Sequence, residues 1–285
     1  MPENRLKPEI VLICGIGILI ALLFVNLDQK EHPKQERTVI ISFDTEFPFG
    51  VGFPGDMTAN EALMYTPREE SWLATMRDLV DLALEEGVAF QFNVVGLTAQ
   101  RYPRVIRSLQ ESEMGISCHS FSHRLQANLS NQEMTEEASK CKKTVEEVIG
   151  KPVVGNRFPY TNYTDDSFKI LVEEGYTWDS SVWSSELDPY WVDGLLELPI
   201  NPVPNDWGWF VLQRNNNSNA FFKAVKDSLE ASEGTYTILL HPWVLSLQRE
   251  ENIQNLRELL RYAKQNNIRV KTGDQVYEEY LSKNT

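Results

Sequence analysis

The chain predicts an α/β fold, a barrel of seven or eight β/α steps preceded by one transmembrane helix. Short apolar runs alternate with segments of helical periodicity from Thr38 onward, with no internal boundary. So many steps favour a closed or nearly closed barrel over an open sheet. Asp44, His119, Arg157, Asp179 and His241 each sit at or just past the end of a strand-like run, where such barrels build their sites.

The elements follow in order. Ile10 to Val25 is an unbroken apolar run of 16 behind Arg5 and Lys7. As a helix it reaches ~24 Å of the ~30 Å hydrocarbon core, and Leu27 can extend it. No small-x-small cleavage site follows, because the chain reads Phe24-Val25-Asn26-Leu27-Asp28, and bulky Ile13 before Cys14 argues against a lipoprotein. The expectation is an uncleaved signal anchor over residues 1–27 with the following domain outside the cytoplasm; a cleaved, secreted form is the alternative. Residues 28–37 are charged, hold Pro33 and read as a linker, leaving 38–285 as one domain.

Thr38 to Phe43 reads as a buried strand, Arg68 to Glu86 as a helix through Trp72, Met76, Leu79, Val80 and Ala83, and Val88 to Val95 as a strand. Tyr102 to Glu113 reads as a helix, Ile116 to Cys118 as a short strand, and Asn131 to Ile149 as a helix with Met134, Ala138, Cys141, Val145 and Val148 on one face. A strand is entered at Lys151 to Val154, a helix spans Asp165 to Glu174, and Tyr176 to Trp178 is the next strand. Further strands fall at Leu196 to Ile200, Thr235 to Leu240 and Ile268 to Lys271, with helices at Asn219 to Ala231 and Arg249 to Gln265. Phe47 to Thr66 and Val182 to Leu195 lack periodicity, and Trp207-Gly208-Trp209-Phe210 is an aromatic stretch. Aromatics beside a polar site either stack on sugar rings or pack as core and lid.

Composition narrows the function classes. With 27 basic and 41 acidic residues the net charge is −14, so the chain would repel nucleic acid and anionic lipid headgroups. Three cysteines, Cys14, Cys118 and Cys141, make no disulfide framework.

The chemistry-bearing residues are few. Asp44 and Glu46 are two apart on a strand, so both carboxylates face one side while Thr45 faces the other. One could bind a metal and the other serve as general base, although a solvated acid pair is the plain alternative. His119 and His123, four apart, supply imidazoles that with a carboxylate could hold a catalytic zinc-type ion and leave one position open for water. His32 lies in the charged linker and carries no role.

Ser42-Phe43-Asp44-Thr45-Glu46, His119-Ser120-Phe121-Ser122-His123, Arg157-Phe158-Pro159-Tyr160, Asp179-Ser180-Ser181 and Leu239-Leu240-His241 stand in the order of five sequence motifs, and in this the chain resembles the polysaccharide deacetylase (NodB-homology) family over residues 38 to 275. The resemblance implies a distorted β/α barrel, a divalent metal (most often Zn2+) and removal of N- or O-acetyl groups from a polysaccharide or glycoconjugate. It makes His119 and His123 metal ligands, Asp44 the general base and His241 the general acid. Arg157 would orient Asp44, and the backbone N–H of Tyr160 would help bind the oxyanion. Asp179 would partner the arginine or a histidine. The departure is at the first motif, where the family commonly has two adjacent aspartates and this chain has Thr45 second. Glu46 is then the third ligand by its same-face placement. Allantoinase-like members work in this fold without a metal, and Asp-x-Glu is compatible with that variant. A non-catalytic carbohydrate-binding scaffold is the reading from another class. The expected partners are an acetylated glycan and, through the N-terminal helix, a membrane.

Overall fold

The computed structural model describes residues 36–51, 65–202 and 205–284. The proposed anchor, Ile10 to Val25, and most of the linker lie outside the described residues. Among the described residues no helix is long and apolar enough to cross a membrane.

The strands are β1 (Thr38–Thr45), β2 (Gln91–Val94), β3 (Gly115–Cys118), β4 (Gly155–Asn156), β5 (Trp178–Asp179), β6 (Tyr190–Val192), β7 (Leu195–Glu197), β8 (Thr235–Leu240) and β9 (Arg269–Val270). They form one sheet in the order β6-β7-β5-β4-β3-β2-β1-β8, with β9 paired to β1. Every pairing is parallel except the β6–β7 hairpin. Ile200, three residues past β7, bridges both Trp183 and Thr237 of β8. The expected barrel therefore closes through a seam of isolated bridges rather than a full ladder, which is the distortion in its shape.

Alternation along β1 sets the layers. Val39, Ile41 and Phe43 join the main core under the covering helices, whereas Ile40 faces the barrel interior with Trp178, Leu196, Leu198 and Val276. Above that small apolar plug, at the next even positions, come Ser42 and then Asp44, 1% and 4% exposed. The barrel is thus apolar at its base and polar at the C-terminal ends of its strands.

The helices outside this barrel are α1 (Glu69–Glu86), α2 (Gly96–Arg101), α3 (Pro103–Glu111), α4 (Asn131–Ile149), α5 (Ser167–Glu173), α6 (Ser218–Ala231), α7 (Pro242–Leu245), α8 (Arg249–Gln265) and α9 (Gly273–Asn284). Their ends are written in the sequence. Ser130 and Glu133 form a reciprocal capping box at the start of α4, and Gly150 ends it at φ 72°. Met134, Ala138, Cys141 and Val145 are its buried stripe, as expected, while Val148 is only partly buried.

Several boundaries differ from expectation. The single helix expected over Tyr102 to Glu113 begins at Pro103, which fits the first turn of a helix, and is preceded by the separate α2. The strands expected at Lys151 to Val154 and Tyr176 to Trp178 occur slightly later, as two-residue ladders too short to show any period. The hairpin strand β6 and helix α9 have no counterpart among the expected elements.

Candidate active site

The two histidines and Glu46 converge. Glu46 leaves the end of β1, and His119 and His123 follow β3, with one donor atom from each within 4.8 Å of the others. All three are buried, at 5% exposure or less. The Nδ1–H of His119 donates to the Arg157 carbonyl at 2.8 Å, which fixes the tautomer and leaves the Nε2 lone pair facing the site. Trp243 donates from Nε1 to Glu46 Oε1 at 2.7 Å, so Oε2 is the oxygen left for the cluster. Glu46 Oε2 lies 2.8 Å from His123 Nε2 and 3.7 Å from His119 Nε2. His123 is the informative member, because among the described residues neither ring nitrogen makes a hydrogen bond although both are buried. Its short contact with Glu46 lacks hydrogen-bond geometry, the arrangement of donors aimed at a common point. Buried polar atoms without partners are costly, and a cation would satisfy Nε2, the nitrogen beside Glu46 Oε2, so the donor set fits a divalent metal. Burial opposes the Glu46 charge, but the charges of His123 and His241 outweigh it and hold the carboxyl below its usual range.

A close approach explains one glycine. A Cβ at Gly50 would come within 2.5–2.8 Å of the Glu46 side chain, so the turn after β1 can fold over that carboxylate only with glycine there.

Asp44 stands beside the cluster, its Oδ2 3.6 Å from His119 Nε2. Arg157 Nη1 approaches its Oδ1 at 3.3 Å. Burial opposes ionisation, yet Arg157, His119, His241 and Asn93 together hold Asp44 below the ordinary carboxylate range. Asn93 is an addition. It is the in-register neighbour of Asp44 on β2 and donates to Oδ1 at 2.7 Å. Behind it Ser117 Oγ donates to Asn93 Oδ1 at 2.5 Å, Gln91 Nε2 donates to Ser117 Oγ at 3.1 Å, and the Gly273 N–H donates to Gln91 Oε1 at 2.9 Å. Every donor in this buried chain points toward Asp44, so each bond polarises the next in the same sense.

His241 ends β8 and faces the same pocket. Its partner is Asp206, absent from the expected residue set. Asp206 Oδ1 lies 2.7 Å from His241 Nδ1, while Oδ2 accepts the His241 backbone N–H at 2.6 Å. Asp206 is fully buried and N-caps a single π-helical turn, Trp207–Leu212, by accepting the Trp207 N–H. Burial lowers the basicity of His241, but Asp206, Glu46 and Asp44 reverse that and raise it to about 9. The only sequence signal for Asp206 is its place before the aromatic stretch.

Tyr160 sits in a 3-10 turn at φ 58°, with its ring over His123 at 4.7 Å between centroids. Ser120, His123 and Thr161 also have positive φ, which costs of order 1–3 kcal/mol per non-glycine residue and concentrates strain in the loops around the site. Asp179 lies close enough to Arg157 for the guanidinium charge to favour its ionised form, but without a hydrogen bond between them. Its Oδ1 accepts from Asn156, and neither Arg157 nor a histidine makes a hydrogen bond to it. The guanidinium reaches Ser180 Oγ and Ser42 Oγ instead. The pocket above these groups has a volume of about 290 Å³ and includes Asp44, Glu46, His119, His123 and His241 in its lining. Trp183 stands at its mouth, 37% exposed, with its indole N–H fixed on Thr161 Oγ1 at 2.7 Å.

Residues 64–178 match the family model described as polysaccharide deacetylase. That stretch holds His119, His123, Arg157 and Tyr160, whereas Asp44, Glu46, Asp206 and His241 lie outside it. Chitin deacetylase 1 of Cryptococcus neoformans is 27% identical over 129 residues, covering 45% of this chain and 26% of that protein. A peptidoglycan deacetylase-like protein of Gibberella zeae is 23% identical over 107 residues, covering 38% of this chain and 32% of that protein. The chain thus spans about a third or less of the length of the curated relatives it matches. An allantoinase structure superposes with a TM-score of 0.72 at 17% identity, over 88% of this chain and 92% of that one, which demonstrates a shared fold.

Proposed function

We propose that this chain, which carries the polysaccharide deacetylase homology, is a hydrolase that removes acetyl groups from an acetylated glycan with the help of a divalent ion. One observation carries the reading: a buried Glu46–His119–His123 donor cluster lies in one pocket with an arginine-held carboxylate and a carboxylate-held imidazole.

The ion, for which two imidazoles and a carboxylate suit zinc, would be held by Glu46, His119 and His123 and would supply Lewis-acid activation of water and of the scissile carbonyl. Asp44, kept ionised by Arg157 and Asn93, takes the proton from the attacking water. The Tyr160 backbone N–H, held by its left-handed turn, donates to the developing oxyanion. His241 delivers a proton to the departing sugar amine or hydroxyl, and Asp206 holds its ring and supports the imidazolium that this role requires. Trp183, immobilised at the mouth, offers a flat face to the sugar ring. The apolar run Ile10 to Val25 supports anchoring to a membrane with the domain outside the cytoplasm, where a glycan would be met.

The test is acetate release from N-acetylglucosamine oligomers by purified protein, with and without chelator. Metal-dependent release that is lost in Asp44→Asn is the expected result. Chelator-insensitive hydrolysis of a small ureide would favour allantoinase-like chemistry, and sugar binding with no hydrolysis would favour a scaffold.

A further inference from the structure

Asp179 and Glu197 are opposite each other in the β5–β7 ladder, and both are fully buried. In-register residues of neighbouring parallel strands point to the same face, so the two carboxyls meet. Among the described residues no cation hydrogen-bonds to either one, although the Arg157 charge favours an ionised Asp179. The nearby guanidinium of Arg157 directs Nη1 to Asp44 and Nη2 to Ser42 and Ser180, and its buried Nε makes no hydrogen bond to either carboxyl. The other titratable neighbours, Tyr163 and Tyr190, are uncharged phenols whose ionisation the pair further suppresses. Two buried carboxylates side by side cannot both remain charged there.

The hydrogen bonds show which oxygens are involved. Glu197 Oε1 accepts the backbone N–H groups of Ser181 and Val182 at 3.0 and 2.9 Å. Asp179 Oδ1 accepts from Asn156 Nδ2 at 2.7 Å. The remaining oxygens, Asp179 Oδ2 and Glu197 Oε2, are buried and find no donor among the described residues. One proton between them satisfies both.

We propose that Asp179 and Glu197 form a one-proton carboxyl pair, with Glu197 as the neutral donor and Asp179 as the acceptor, that positions the Arg157–Tyr160 segment. Glu197 Oε1 holds the Ser181 backbone N–H, and Ser181 Oγ in turn accepts the Phe158 N–H at 2.8 Å. Phe158 lies between Arg157, which holds Asp44, and the turn that carries Tyr160. Burial and the Asp179 charge push the Glu197 carboxyl well above its ordinary range, in keeping with the geometry. The protonation state stands on the fold alone, while the positioning role rests on the deacetylase reading.

Glu197→Gln decides between the possibilities, because its amide keeps the two backbone acceptor bonds and donates to Asp179 without a titrating proton. We expect the wild-type protein to show an infrared C=O stretch of a buried protonated carboxyl that persists at neutral pH and is lost in Glu197→Gln. The folded wild type retains a proton that the unfolded chain releases, so its folding constant falls up to about tenfold per pH unit above the ordinary carboxylate range, relative to the variant. Loss of kcat with little change in KM in Glu197→Ala, with kcat restored to within about threefold in Glu197→Gln, would mark positioning. A missing band together with parallel pH–stability curves would overturn the pair even if acetate release is normal. A band present in both proteins would move the proton to another residue and equally overturn it. Should Glu197→Ala fail to fold, the spectroscopic and pH–stability comparisons of Glu197→Gln still decide whether the pair exists, and Asp179→Asn, which removes the acceptor, tests positioning by the same kcat-against-KM split.

Discussion

Asp206 holds His241 at two points, with Oδ1 2.7 Å from the ring Nδ1 and Oδ2 accepting the backbone N–H at 2.6 Å. One carboxylate thereby fixes both the strand end and the imidazole it carries. The ring nitrogen left for chemistry is Nε2, and the charge opposite Nδ1 favours the protonated ring.

Asp206→Asn should keep the fold but lose the charge that supports the imidazolium. By analogy with other carboxylate–histidine pairs, kcat should fall by about 10²–10⁴ with a much smaller change in KM. Steady-state kinetics of acetate release measure this, and unaltered kcat would remove His241 from the acid role.

In chelator-treated protein His241 should titrate at about 9, and Asp206→Asn should move that titration to lower pH. Because the folded value lies above the unfolded 6.5, the resulting stabilisation is fully present below pH 6.5 and disappears as pH rises through about 9. Imidazole proton signals in NMR across that range, with Tm in parallel, check both halves.

His123→Ala removes one of three donors to the proposed ion. Metal affinity should drop by more than the ~10–100-fold typical of losing an outer-shell contact, whereas Trp243→Phe, which strips a hydrogen bond from Glu46, should fall within that range. Competition against a chromogenic chelator reads the two losses side by side. Equal affinity in wild type and His123→Ala would exclude His123 as a ligand.

Ser117→Ala interrupts the donor chain that ends on Asp44 while leaving every pocket-lining group in place. We expect a stability loss of about 1–3 kcal/mol from the stranded Gln91 and Asn93 groups, and lower kcat at similar KM. Urea denaturation and kinetics separate the two effects. A purely structural serine would lower stability and leave kcat alone.

Gly155→Ala addresses the strand that delivers Arg157. A Cβ there would meet Trp178 ring atoms at 2.0–2.6 Å, and Trp178 is itself wedged against Gly273 and bonded through Nε1 to Asp274. With no room to shift, the ring should transmit a destabilisation of about 1–3 kcal/mol, read as a lower urea midpoint.

What the sequence determined by itself was local. A period of two along β1 put Asp44 and Glu46 on one face, and the alternation of strand and helix runs placed Asp44, His119, Arg157 and His241 at strand ends. The capping box at Ser130 and Glu133 and the buried stripe of α4 were legible for the same reason, because neighbours along the chain settle them. What only the tertiary structure decided depended on distant segments meeting. Asp206 reaches His241 across 35 positions, and Asn93 and Ser117 become a donor chain only because β1, β2 and β3 pair in that register. The family resemblance implies the arginine or a histidine as the partner of Asp179. The β5–β7 ladder pairs it with Glu197 instead, because cross-strand register, which no local pattern encodes, chooses the neighbours of a buried charge.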